Sequence, residues 1–180
     1  MKKIAIAIYL LLFAFIANGQ SLFSTKSGMI SFHSDAPLED IEAVNNKVAA
    51  ILNTDNEELA VQMKIIDFEF SNKLMQEHFN ENYLESEKYP TATFKGKIIE
   101  KLDLQKAGTY PATAKGTLTV HGVSKEVTIQ GTIKSTGQEL EAEFDFPIKL
   151  ENHEIEIPSI VFQKIAEEVE VKGKFTLVKK

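Results

Sequence analysis

The sequence predicts an all-β protein, a single antiparallel β-barrel with one short α-helix at about residues 73–84. Three observations lead there. Apolar and polar residues alternate with a period of two along most of the second half; one segment switches to a period near four; and no low-complexity linker or short repeat divides the chain.

The N-terminus comes first. Met1-Lys2-Lys3, an uncharged run from Ile4 to Ala17 and the small residues Ala17 and Gly19 make a signal peptide, residues 1–19, with cleavage expected after Gly19. The run falls short of the ~20 apolar residues of a spanning helix. The chain has no cysteine, so it offers no lipoprotein anchor. The expected product is a periplasmic or secreted domain of residues 20–180, held by apolar burial and backbone pairing rather than disulfides. Losing Lys2 and Lys3 takes the formal charge from −6 to −8. That balance speaks against nucleic acid and against docking on anionic lipid head groups.

Three weaker strand candidates follow: Gly28 to Ser34, Ile41 to Leu52, and Leu59 to Phe70. In the second, Glu42-Ala43-Val44 and Lys47-Val48-Ala49-Ala50 suit a helix almost as well as a strand. The third changes parity between Ile65 and Ile66, which predicts a bulge or a bend. Ser71 and Asn72 then offer N-cap oxygens, and Met75, Phe79 and Tyr83 recur every four residues with Leu74 and His78 alongside. This is the amphipathic helix, roughly Lys73 to Leu84, and Tyr89-Pro90 stops it.

Strict alternation takes over from there. The apolar rows are Phe94, Gly96, Ile98; Tyr110, Ala112, Ala114, Gly116, Leu118, Val120; Val127, Ile129, Gly131, Ile133; Leu140, Ala142, Phe144, Phe146, Ile148, Leu150; and Val169, Val171, Gly173, Phe175, Leu177. Seven or eight such strands protect their edges best by closing on themselves. An outer-membrane barrel would turn the apolar face outward between aromatic girdles. Dense Glu and Lys on the polar face and the lack of such girdles favour a water-soluble barrel with a dry interior.

The inward rows mix phenylalanines with glycines and alanines, which either fill a tapering core or leave a lumen. Runs of about eleven residues at ~3.3 Å each give strands of roughly 35 Å. A compact core needs no such height, so strand length favours a lumen able to hold an extended acyl or isoprenoid chain.

The stretch Met75-Gln76-Glu77-His78-Phe79 through Lys88-Tyr89-Pro90-Thr91-Ala92-Thr93-Phe94 resembles the signature of YceI-like proteins, a helix carrying His-hydrophobic that leads into a Tyr-Pro-x-x-x-Phe strand. Gly116-Thr117-Leu118-Thr119-Val120-His121-Gly122-Val123-Ser124-Lys125 is similar to the family's second motif. The resemblance implies an elongated, eight-stranded, lipocalin-like barrel enclosing polyisoprenoid or related amphiphilic lipids. The chain departs from the family at Ser31-Phe32-His33-Ser34 and at Lys149-Leu150-Glu151-Asn152-His153, near the expected cavity mouth.

On this reading the lumen is lined by Phe32 from an early strand, Phe68 and Phe70 before the helix, and Met75, His78, Phe79 and Tyr83 on it. Phe94, Ile98, Leu118, Val120 and Ile129 continue the lining. Phe144, Phe146, Ile148, Val171 and Phe175 complete it.

His33, His78, His121 and His153 are scattered at no ligand spacing, so no metal is expected. His78 reads either as a polar contact at the barrel mouth or as a buried imidazole bonded to backbone. His121-Gly122-Val123-Ser124-Lys125 reads as a hairpin turn with Ser124 and Lys125 facing water. Asn80, Tyr83 and Tyr89 either bond a ligand head group or staple the helix to the barrel. No Gly-x-Ser-x-Gly elbow and no thiol is present, and Glu57-Glu58 and Glu167-Glu168 fall at solvated positions. The expected function is non-catalytic carriage of a polyisoprenoid, quinone or fatty-acid-type lipid, with no cofactor beyond that lipid, no nucleic acid and no stable membrane insertion. A homodimer is compatible with this. The rival is a filled-core module that engages another envelope protein through its acidic surface.

Overall fold

The computed structural model describes residues 21–36, 39–157 and 166–180; the expected signal peptide, residues 1–19, and its expected cleavage site lie outside them. Wherever the period of two holds, a strand forms. The elements are β1 Leu22–Ala36, β2 Glu39–Asn53, β3 Glu58–Lys64, β4 Glu69–Phe70, α1 Lys73–His78, β5 Thr91–Ile98, β6 Gly108–Val120, β7 Val123–Ser135, β8 Glu139–Lys149 and β9 Glu168–Lys179. Neighbours run β1-β9-β8-β7-β6-β5-β3-β2, and β2 pairs back with β1, so eight antiparallel strands close into a barrel. The two-residue β4 adds to β2 at Ala43↔Phe70 and Val44↔Glu69.

The ambiguous stretch from Ile41 to Leu52 is strand. Its buried positions are Ala43 and Asn45, then Val48, Ala50 and Leu52. The parity flips at Asn46-Lys47, where the register steps from Ile30↔Asn45 to Gly28↔Val48 and leaves two residues of β2 opposite one of β1. That bulge imitated a helical period. The stretch from Leu59 to Phe70 is not one bent strand, which corrects the expectation. β3 stops at Lys64, a 3-10 turn spans Ile65–Asp67, and β4 then leaves β5's neighbourhood for β2. Burial of Ile65 beside the shift to a new partner explains the parity change.

The helical segment starts at the expected residue. The Asn72 side chain caps it by accepting from the Leu74 N–H at 2.9 Å. After His78 the backbone widens into a π turn, Phe79–Tyr83, closed by the Leu84 N–H donating to the Phe79 carbonyl at 2.9 Å.

The two ends of the barrel differ. At the lower end, away from the helix, Phe23, Leu52, Leu140 and Leu177 pack with Leu104 of the β5–β6 loop, which plugs that end. The Tyr110 hydroxyl lies 3.0 Å from the Asp103 carbonyl and 3.1 Å from that of Lys106, holding the plug. At the upper end stand the helix, the β6–β7 turn and a 3-10 turn, Leu150–His153.

Two seams interrupt the wall. β2 and β3 are paired only from Ala49↔Gln62 down to Asn53↔Glu58. Above that, the fully buried Asn45 donates to the Lys64 carbonyl at 2.9 Å and accepts from the Lys47 N–H at 2.9 Å, bridging the split. β7 and β8 are paired only from Gly131↔Phe144 to Ser135↔Leu140.

Candidate ligand-binding lumen

The inward rows do not meet in the middle of the barrel. They enclose a cavity of about 430 Å³ that extends from Leu74, Met75 and His78 on the helix to Leu140 and Leu177 above the plug. This lies within the roughly 300–1,000 Å³ of small-molecule sites. Each of the lumen residues expected from the sequence, from Phe32 to Phe175, borders it. So do Leu59, Val61, Met63 and Ile65, which sequence reasoning left out. Their alternation carried the signal, but the break after Lys64 hid which parity faced inward.

Aromatic rings shape the space. Below the helix, Phe32, Phe68, Phe70 and Phe79 form a cluster with ring centroids 4.9 Å apart for Phe70 and Phe79 and 5.5 Å apart for the stacked pair Phe32 and Phe79. Deeper, Phe144 meets Phe175 edge to face at 5.3 Å. Gly173 leaves room for the Phe144 ring, which lies where a Cβ at 173 would go. Mixing large and small residues therefore fits rings against bare backbone while the axis stays open.

Polar groups are few on this surface. Asn72, His78 and Tyr83 stand at the helix end. Burial pushes the Tyr83 hydroxyl above its ordinary pKa, so it serves as a neutral donor or acceptor. His78 is exposed at the rim, not a buried imidazole bonded to backbone. Asn80 and Tyr89 do not border the cavity. Asn80 donates to the Gln76 carbonyl at 2.8 Å within the helix. The Tyr89 ring packs edge-on against His121 at 4.5 Å.

The histidines are not all scattered, which is a second correction. His121 and Gly122 both take positive φ, 52° and 74°, and make the predicted hairpin turn. The turn carries His121 into a buried contact, where Nε2 lies 2.9 Å from Glu85 Oε2 and Nδ1 lies 3.1 Å from the His153 carbonyl. The ring is thus held at both nitrogens, between a side-chain carboxylate and a backbone carbonyl. His153 is itself buried and its Nδ1–H donates to the Val123 carbonyl at 3.1 Å. Burial, with smaller contributions from Lys125 and His121, pulls its pKa below the ordinary 6.5. Helix exit, β6–β7 turn and β8–β9 connection are thus clamped together. Sequence spacing held no sign of this, because 36 residues separate Glu85 from His121 and 32 separate His121 from His153. Among the described residues no three His, Asp or Glu side chains converge as metal ligands, and no helix is long and apolar enough to cross a membrane.

Solved structures share this architecture. A polyisoprenoid-binding domain from Saccharophagus degradans, implicated in plant cell wall breakdown, superposes with a TM-score of 0.78 at 12% identity, covering 89% of this chain and 99% of that one. BcnA of Burkholderia cenocepacia gives 0.65 at 18% identity over 84% and 96%. The YCEI protein of Campylobacter jejuni gives 0.59 at 17% over 77% and 84%. At these identities the likeness establishes the fold. No curated protein matches the chain. The YceI-like domain model matches residues 17–177, nearly the whole of the closed barrel and its lumen, and the chain belongs to the YceI-like family.

Proposed function

We propose that the protein is a non-catalytic carrier for a long apolar amphiphile, of polyisoprenoid, quinone or fatty-acid type, in the bacterial envelope. One observation carries this reading: an apolar cavity of about 430 Å³ that runs along the barrel axis between an aromatic cluster at the helix and a packed plug at the far end. A filled core needs no such void, since interiors pack to crystal-like density. Burying chain in the lumen supplies about 0.8 kcal/mol per methylene, less the cost of immobilising it. The polyisoprenoid-binding domain among the structural neighbours supports the same reading. The charged leader followed by an apolar run supports export.

Organic extraction and mass spectrometry of the purified protein test it. A co-purifying isoprenoid, quinone or acyl lipid is expected, together with a rise in melting temperature when that lipid is added back to stripped protein. A clean extract with no thermal shift from any of the three lipid classes overturns the proposal.

A further inference from the structure

The wall of the barrel is open along part of its height, and the opening holds a second, smaller site. Above Gly131↔Phe144 the ladder between β7 and β8 ends. Pro147 stands in the unpaired stretch of β8, where its missing N–H costs no ladder bond to β7. In the gap lies a side pocket of about 200 Å³. Leu118, Phe146 and Ile148 line both this pocket and the lumen, so the two spaces share a layer of side chains.

The rim of the pocket is cationic. Lys125 opposes Leu118 in the β6–β7 register and falls on the row of Val127, Ile129, Gly131 and Ile133, whose other members face the dry interior. A charge on that row would be costly behind an intact wall. Here it is exposed because the wall has parted. Lys149 borders the pocket from β8, with Asn152 and His153 above it. Among the described residues neither Lys125 nor Lys149 takes part in an ion pair. Glu126, the carboxylate at this rim, is bonded to the Thr117 hydroxyl on the outer face. At the helix mouth, by contrast, the polar lining is Ser34, Asn72, His78 and Tyr83, without a lysine.

We propose that this side pocket is the head-group subsite of the lumen and takes an anionic group, carboxylate or phosphate, on an amphiphile whose chain lies in the barrel. The proposal rests on the lumen reading above. The chain passes inward between Leu118 and Phe146, while Lys125 and Lys149 close on the anion from opposite strands and Asn152 adds an amide donor. Charge-assisted hydrogen bonds of this kind carry both orientation and affinity.

The test uses stripped protein without its leader and two probes with the same chain, hexadecanoate and hexadecanol, competing against a fluorescent apolar dye at pH 8 and low salt. Wild-type protein is expected to prefer the acid by about tenfold or more, the scale of one charge-assisted hydrogen bond. The preference should shrink as salt rises. In the double variant K125Q/K149Q the acid should fall to the level of the alcohol, with alcohol affinity and melting temperature unchanged. Equal binding of acid and alcohol by wild type, or an acid preference that survives in the double variant, overturns the subsite and leaves the lumen reading standing. Failure of both probes to bind wild type overturns the subsite, while the lumen reading falls only if isoprenoid and quinone also give no thermal shift. Inorganic phosphate binding as tightly as hexadecanoate would mark a free-anion site and also overturns the head-group assignment.

Discussion

At His153 a neutral imidazole is enclosed at the barrel's upper rim, and the fold inherits an acid sensitivity from it. Its pKa in the folded chain lies below the ordinary 6.5, chiefly through burial. Between the two values the unfolded chain binds more protons than the folded one, so stability is full above about pH 6.5 and declines as pH falls through and below that value. Melting temperature is therefore expected to drop between pH 7 and pH 5. In His153→Asn, which keeps a donor for the Val123 carbonyl, the drop should be smaller; an equal drop in both proteins counts against His153 as the source. Glycine positions divide in a similar way. Gly96 and Gly116 face each other across β5 and β6, and a Cβ on either meets the opposite backbone. Gly116→Ala must push two strands apart and should cost roughly 1–3 kcal/mol in denaturant unfolding. Gly173→Ala meets only the far end of the Phe144 ring, which can swing into the lumen. That variant should keep most of its stability and lose ligand affinity instead.

Among the elements, β2 carries the most unusual duty, since it pairs with β1 along its length, with β3 at one end and with β4 near the other. Asn45 spans the split. Asn45→Ala removes the side-chain partner of the part-buried Lys64 carbonyl and Lys47 N–H, at an expected cost of roughly 1–3 kcal/mol for the two bonds, to be checked by chemical denaturation. The same element shows where a sequence is readable and where it is not. From Leu140 to Leu150 one parity faces inward without interruption, and the row could be assigned from residues alone. In β2 the bulge at Asn46-Lys47 shifts the parity midway, and a shifted period of two resembles a period near four. At Ile65–Asp67 the chain changes partner strand, an event fixed by packing across the barrel and not by local composition. The helix was legible from its cap and spacing, but its π ending was not, because the widening at Phe79 brings ring and backbone to the Phe32, Phe68 and Phe70 cluster.

As a whole molecule the barrel keeps stability and binding in different layers. The plug around Phe23, Leu104 and Leu140 is tightly buried, while the space above it is open. Filling that space should therefore spare the fold. Ala112→Phe, which points a ring into the lumen beside Gly131, is expected to abolish the lipid-induced rise in melting temperature while leaving the melting temperature of the stripped protein within a few degrees. A large fall in the stripped protein would mean that the lumen has no slack. The candidate head-group site was only half visible beforehand: Lys125 reads as a turn residue facing water, and its inward parity matters only once the β7–β8 ladder is seen to stop.

That stop also bears on how the protein survives at high concentration. Closing eight strands removes most sheet edges, but along the upper parts of β7 and β8 two short rows of backbone are left without a strand partner across the seam. Such rows invite another chain to add a strand. Here β8 presents a proline without an N–H and charged Asp145 and Lys149, while β7 presents Lys125 and Glu126, the usual guards against strand addition. The residues along the seam thus also guard one barrel against zipping onto the next.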